Sequence, residues 1–314
     1  MPPAVMEEIR QWVNFPWAVL NPEAWRDNGE ALQEADVIFS TWGMPKLNAD
    51  FLAGAPALKA VFYAAGSVKS FVTDAGWDRG IVVSSAWVAN GVPVAEYTVA
   101  AIILSLKRFW HFSRLTRSEN IHSGDIPVPG AFRTKVGLVS LGAIGRATAR
   151  LLRSYDVTIL AHDPFLSGDQ VAGLNVRLVP LEEIFRECDV VSLHVPWIPE
   201  TEGIITGKLI ASMKNGATLI NTSRGAVVKE AEMIAVLSSR PDLSAVLDVT
   251  YPEPPTMDSP LRFLPNVILT PHIAGSIQGE CARMGSWMAD ELRRYVYCEP
   301  LRYAVTREMA DRMA

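Results

Sequence analysis

Lys135-Val-Gly-Leu-Val-Ser140-Leu-Gly142-Ala-Ile-Gly145 reads as an apolar strand, a tight turn and the opening of a helix that runs on to Tyr155. The dinucleotide fingerprint GxGxxG needs this strand–turn–helix setting. Gly142 lets a backbone approach a pyrophosphate at the helix N-terminus, and Gly145 lets the helix lie close on the strand. Ser140 stands where the first glycine belongs, so the turn alone is an incomplete motif and is equally readable as a plain strand–helix turn. Asp163 tips that balance. It ends the next strand, Val157-Thr-Ile-Leu-Ala-His162, 18 residues after Gly145. A carboxylate there bonds ribose hydroxyls and repels a 2′-phosphate, which favours NAD (NADH) over NADP. The other reading of Asp163 is a turn residue before Pro164, and His162 beside it could modify the preference.

The same alternation extends in both directions. Downstream, Val190-Val-Ser-Leu-His194, Ala217-Thr-Leu-Ile-Asn221, Ala245-Val-Leu-Asp248 and Val267-Ile-Leu-Thr270 are short apolar runs. They suit a parallel sheet covered by helices on both faces. Upstream, Val37-Ile-Phe-Ser40, Leu58-Lys-Ala-Val-Phe-Tyr63 and Ile81-Val-Val-Ser84 alternate with helical pieces such as residues 48–52. Residues 94–112 predict one long helix with Glu96 in its first turn. A Gly- and Pro-rich loop, residues 123–130, follows it. The fold class is α/β, with doubly wound parallel sheets.

The bulk properties agree. A chain of 314 residues exceeds one compact core and implies two domains. With 49% hydrophobic and 20% charged residues, the composition is that of an ordinary globular protein. A net charge of −5 gives no global basic field to recruit nucleic acid. Lys107, Arg108, Arg114 and Arg117 read as a solvated or interface face. Cys188, Cys281 and Cys298 form no CxxC pair and stand at no metal-ligand spacing, so neither a disulfide framework nor a metal site is expected. The first residues, Met1-Pro-Pro-Ala-Val-Met-Glu-Glu, lack the cations and apolar core of a signal peptide. No apolar run reaches the ~18 residues of a membrane span, and the longest, residues 98–106, reads as a buried helix. A cytoplasmic location is the expectation.

Three side chains carry the chemistry. Arg224 follows one strand, Glu253 the next and His272 the third, at the carboxyl ends where open α/β sheets bind ligands. Arginine grips a carboxylate bidentately and polarises an adjacent carbonyl. Histidine gives a proton to a developing alkoxide or takes it back. A paired glutamate orients the ring and raises its pKa. Singly, each has a plainer reading: a surface or capping cation, a solvated carboxylate, a satisfied histidine. Together, after a dinucleotide turn, they favour hydride transfer at C2 of a small 2-oxo or 2-hydroxy acid.

Leu141-Gly-Ala-Ile-Gly145, His194-Val195-Pro196 with Glu200-Thr201, Asn221-Thr222-Ser-Arg224-Gly225, Leu247-Asp248-Val249, Glu253-Pro254 and Pro271-His272-Ile-Ala-Gly275 occur in this order. The set resembles the D-isomer-specific 2-hydroxyacid dehydrogenase family over about residues 36 to 290. The resemblance implies two Rossmann-like domains, one flavodoxin-like and one dinucleotide-binding, with the active site in the cleft. The substrate domain would be residues 1–91 plus 275–314 and the NAD-binding domain 92–274, with a final helix near residues 276–297 returning to the first. Arg224 then resembles the substrate arginine, Glu253 the histidine partner and His272 the acid/base. Thr98, Leu141, Gly142, Ala143, Ile144, Gly145, Asp163, His194, Val195, Pro196, Thr201, Thr222, Asp248 and Gly275 match cofactor contacts, with Asp248 on the nicotinamide side. The amides of Ala65, Gly66, Ser67 and Val68 would hold the substrate carboxylate. Residues 94–134 resemble a dimerisation arm, which implies a homodimer.

This sequence departs from the family pattern in places. Beside Ser140, Lys69 stands where an acid is common; it reads as a solvent-facing lysine or as an extra cation for a doubly charged substrate. Lys229 likewise replaces a usual acid. The family opens with a strand, whereas this chain opens with a helix-like segment, residues 5–13. Trp42, Met44, Ser67, Lys69 and Trp287 are candidates for substrate selection. Two other functions share the resemblance: a phosphite- or formate-type dehydrogenase, and an NAD(H)-sensing corepressor. The Glu253–His272 pair argues against formate, which needs no proton transfer to an alkoxide.

Overall fold

The computed structural model describes residues 3–14, 21–117, 121–122, 124 and 126–313. The chain divides into two compact units, residues 1–90 with 276–313, and residues 91–275.

The first unit holds a three-stranded parallel sheet in the order β1-β2-β3, formed by Val37–Ser40, Ala60–Tyr63 and Val82–Ser85. Successive side chains of a strand point to opposite faces, and the burial follows this rule. Val61, Tyr63 and Val83 enter one core with Leu47, Phe51 and Phe71. Ala60 and Phe62 enter another with Met284, Met288 and Leu292, from the helix Cys281–Val296. That helix is shorter at its start than the expected Ser276 onset, because residues 278–280 form a separate 3-10 turn. Trp287 stacks on Tyr303 at 5.0 Å and packs on the second core. Trp287, nominated above for substrate selection, is thus partly buried against that core.

The second unit carries seven parallel strands. Chain order gives β4 Phe132–Val139, β5 Asp156–His162, β6 Val176–Leu178, β7 Val190–Leu193, β8 Thr218–Asn221, β9 Ser244–Leu247 and β10 Val267–Leu269. Their spatial order is β10-β9-β8-β7-β4-β5-β6. It reverses direction at β4, the strand that feeds the glycine turn, and ligands bind at such a switch point. Val191, Leu193, Leu219, Ala245 and Leu247 fill one face, and Val136, Leu138, Val190, Ile220 and Val246 the other. The short β6 has an exposed arginine at its centre, so it shows no apolar run in the sequence.

Two expectations need correction. The predicted helix over 94–112 is instead two, Trp87–Leu106 and Phe109–Leu115. Arg108 adopts φ +52°, which no continuous helix allows. Pro93 and Glu96 lie inside the first helix rather than at its start. This helix is also longer than the apolar run read from sequence: its 20 residues are long and apolar enough to cross a membrane. More than half of its residues are buried in the fold, and Val99, Ala101, Ile102 and Leu106 join the second unit's core. Within the expected arm 94–134, residues 118–120, 123 and 125 lie outside the described residues, as do Met1 and Pro2 of the opening segment and Ala314 at the end of the expected first domain. The opening helix spans Pro3–Ile9.

One carboxylate locks the C-terminal return into the first unit. Glu291 has no exposed surface. It accepts hydrogen bonds from Ser84 Oγ at 2.7 Å and from the backbone N–H groups of Arg302 and Tyr303 at 2.9 and 3.0 Å. Replacing it by leucine leaves those donors unsatisfied, at a cost of about 2–3 kcal/mol. Glu291→Leu should lower the urea midpoint accordingly, while Glu291→Gln, which keeps an acceptor, falls less; equal midpoints for all three proteins would refute this role.

Candidate active site

Strands β8, β9 and β10 are neighbours in the sheet, and Arg224, Glu253 and His272 follow their carboxyl ends. Each loop is built to present its residue. After β8, Asn221 Oδ1 accepts from Ser223 N–H and Oγ, and Asn221 Nδ2 donates to the Arg224 carbonyl at 3.0 Å. The Arg224 guanidinium turns back to donate to the Ser223 carbonyl at 2.7 Å. Gly225 lies flat against the next loop: a Cβ there would stand 2.1 Å from the Thr250 backbone. No other residue fits, so the arginine loop is fixed against the glutamate loop. Burial pulls the Arg224 pKa below its ordinary value, and the charge of Glu253 opposes that shift. Arginine stays charged regardless.

His272 Nδ1 and Glu253 Oε1 are 2.6 Å apart. This pairing leaves Nε2 as the ring nitrogen available for proton exchange. The ring is about half exposed, at 45%. His272 itself has φ +55°, a left-handed conformation that costs a non-glycine residue about 1–2 kcal/mol. Asp248 holds it there. The Asp248 carbonyl accepts from His272 N–H at 3.0 Å. Its buried carboxylate accepts from Thr270 Oγ1 at 2.6 Å and from the amides of Ile273 and Ala274, both at 2.9 Å. Both carboxylate oxygens thus serve the histidine loop, an arrangement the sequence reading missed.

The glycine turn follows β4. Gly142 caps the helix Ala143–Leu152, with no side chain bonded at the cap. A Cβ at Gly142 would meet nothing within 4 Å. Open amides at the N-terminus of a helix of 10 residues, with free space before them, suit a dinucleotide pyrophosphate. Gly145 has the opposite constraint: its Cβ would stand 2.2 Å from the Ser140 carbonyl oxygen. Ser140 holds φ +75°, so the residue replacing the first glycine keeps the backbone that a glycine prefers. Asp163 accepts from Leu141 N–H at 2.9 Å and from Phe165 N–H at 3.0 Å. It therefore braces the turn and caps its own loop. His162 Nδ1 is 3.1 Å from the Val179 carbonyl.

Other positions nominated by the sequence cluster at the same strand ends. Thr98 and Thr222 join through their hydroxyls at 3.0 Å, both buried, and Tyr97 Oη meets Thr270 Oγ1 at 3.1 Å. Val195 and Pro196 follow β7, where the Thr201 hydroxyl binds the Pro196 and Ile198 carbonyls and closes that loop. Gly275 ends the second unit. In the first unit, residues 65–68 follow β2. Ser85 Oγ donates to the carbonyls of Ala65 and Gly66. The amides of Gly66, Ser67 and Val68 meet no acceptor among the described residues. Lys69 lies exposed beside them.

His194 stands beside the glycine turn, 3.7 Å from where a Gly145 Cβ would lie, with Nε2 3.2 Å from Ser192 Oγ. Burial pushes its pKa down to about 4, against about 6.5 in an unfolded chain. Between these values the unfolded chain binds the extra proton. The contribution to stability is therefore complete above pH ~6.5 and is lost as pH falls toward ~4. Its ceiling is about 3 kcal/mol, and partial exposure makes it smaller. Urea midpoints measured at pH 7 and pH 5 should separate less in His194→Gln than in the parent; identical pH slopes would contradict this.

Residues 99–274 match the family model described as "D-isomer specific 2-hydroxyacid dehydrogenase, NAD binding domain". The chain is 30% identical over 263 residues to a D-3-phosphoglycerate dehydrogenase of Archaeoglobus fulgidus, covering 83% of this chain and 49% of that protein. It thus spans about half the length of that relative. An (S)-sulfolactate dehydrogenase of Chromohalobacter salexigens is 34% identical over 255 residues, covering 79% of this chain and 81% of its own length. The crystal structure of the TT0316 protein from Thermus thermophilus superposes with a TM-score of 0.77 at 26% identity, over 97% of both chains. With the family model covering more than half of the sequence, this chain belongs to the D-isomer specific 2-hydroxyacid dehydrogenases.

Proposed function

We propose that the chain interconverts a small 2-oxo acid and its D-2-hydroxy acid with NAD(H). The pairing of His272 Nδ1 with Glu253 Oε1 at 2.6 Å, on the strand end next to Arg224, carries the reading. The nicotinamide, when bound, supplies or takes up the hydride at substrate C2. His272 delivers a proton from Nε2 to the substrate oxygen during reduction and removes it during oxidation. Glu253 balances the charge on the ring and fixes its orientation. Arg224 grips the carboxylate and polarises the neighbouring carbonyl; within the first unit, the open amides of Gly66, Ser67 and Val68 are the group suited to a carboxylate. A second anionic group on the substrate would suit Lys69, and the phosphoglycerate and sulfolactate relatives act on acids of that kind. A homodimer through residues 94–134 and a cytoplasmic location belong to the same reading.

A panel of 2-oxo acids against NADH oxidation, beside phosphite and formate against NAD reduction, tests it. Turnover of a 2-oxo acid supports the proposal. Turnover of phosphite or formate alone would replace it, and no turnover with NADH-dependent oligomerisation would favour a sensor. His272→Ala should lower kcat about 10²- to 10⁴-fold with NADH affinity retained; retained turnover sinks the assignment.

Asp163 selects the cofactor under this reading. Asp163→Ala should weaken NADH binding about tenfold and narrow the preference over NADPH, because the brace on Leu141 and the repulsion of a 2′-phosphate disappear together. Fluorescence titration with both dinucleotides measures it, and an unchanged ratio speaks against the role.

A further inference from the structure

The chain leaves the first unit at Asn90 and re-enters it at Ser276. These positions are 186 residues apart in sequence, yet the Ser276 N–H donates to Asn90 Oδ1 at 2.9 Å. The other end of the same side chain, Nδ2, lies 3.3 Å from where a Cβ on Gly66 would be. Gly66 belongs to the turn whose amides are open, and Ser85 Oγ pins the carbonyls of that turn. One primary amide therefore touches both crossings of the chain and the loop proposed to hold the substrate carboxylate. The next residue, Gly91, has its own constraint within the second unit. A Cβ there would meet Ile144 Cγ1 at 3.3 Å, on the helix that opens at the glycine turn. Ser276 is 5% exposed, and its hydroxyl finds no partner among the described residues.

We propose that Asn90 is a positioning residue that fastens the two crossings to each other and sets the Gly66 turn for carboxylate binding. The chemistry suits asparagine alone. An amide offers an acceptor and a donor in one rigid plane, whereas aspartate offers acceptors only and glutamine is one methylene longer. Without the clip, two backbone crossings and a turn with open amides regain conformational freedom, and substrate binding must restore their order. What the loop binds rests on the function proposed above; the clip itself does not.

Three variants of the full chain test it: Asn90→Ala, Asn90→Asp and Ser276→Ala. With NADH and an accepted 2-oxo acid, Asn90→Ala should raise KM about tenfold or more while kcat and NADH affinity stay within about twofold. Amide hydrogen exchange should rise both at Ser276 and across residues 65–68. Asn90→Asp keeps the acceptor, so Ser276 stays protected while residues 65–68 exchange faster and KM rises. Ser276→Ala keeps its N–H and should match the parent in KM and exchange. A lower melting temperature with unchanged KM would reduce Asn90 to a structural residue and overturn the proposal. So would unchanged exchange at Ser276 in Asn90→Ala. If the parent turns over no 2-oxo acid, the proposed function fails, and the exchange data alone decide the clip.

Discussion

The carboxylate of Asp248 is the constraint on which the rest of the site depends. It is 2% exposed, and its two oxygens are engaged by Thr270 Oγ1 and the amides of Ile273 and Ala274. A buried carboxylate without such donors would be expensive. With them, it becomes a rigid hub between the end of β9 and the loop after β10. That hub holds His272 in a left-handed backbone, which turns its ring toward Glu253. A reacting group must be held by its surroundings to act reproducibly, and here an uncommon conformation is maintained by a neighbouring strand. Gly225 adds the second fastening, since the arginine loop meets the Thr250 backbone with no room for a Cβ. Three chemical groups on three adjacent strand ends thus behave as one body.

Much of this was legible in the sequence because parallel strands announce themselves as apolar runs, and because reactive residues follow those runs. Arg224, Glu253 and His272 were found in that way, and the pairing of the last two is present at 2.6 Å. What sequence periodicity could not reveal was interaction across long chain distances. The family resemblance nominated Asp248 as a cofactor contact, but it gave no sign that both its oxygens bond the histidine loop. Asn90 carried no signal, since an asparagine before a glycine reads as an ordinary turn. The stack of Trp287 on Tyr303, which holds the tryptophan partly buried against a core, likewise joins residues 16 apart that no short-range pattern connects. The break at Arg108 was invisible because arginine and lysine are good helix formers, and only the backbone angle reveals it.

The glycine turn illustrates how a motif can lose a letter and keep its geometry. Ser140 keeps φ +75°, so the turn survives where the consensus glycine is absent, at the cost of some backbone strain. The unavoidable glycine is Gly145, which closes on the Ser140 carbonyl. Pattern matching weights the positions alike, but the packing distributes necessity unequally.

The discontinuity of the first unit has a further consequence, in time rather than in space. Ala60 and Phe62 face Met284, Met288 and Leu292, and Glu291 bonds Ser84, so that side of the sheet is completed only by residues that follow the whole second unit in the chain. The ribosome must first make the whole of Gly91–Gly275, 185 residues, which takes roughly 10–40 s at about 5–20 residues per second. Throughout that interval the sheet face of Ala60 and Phe62 lacks Met284, Met288, Ala289 and Leu292, while by its end the residues of the second unit's two clusters are all present. The first unit therefore finishes its packing only after the second has been made, although its three strands precede the second unit in the chain.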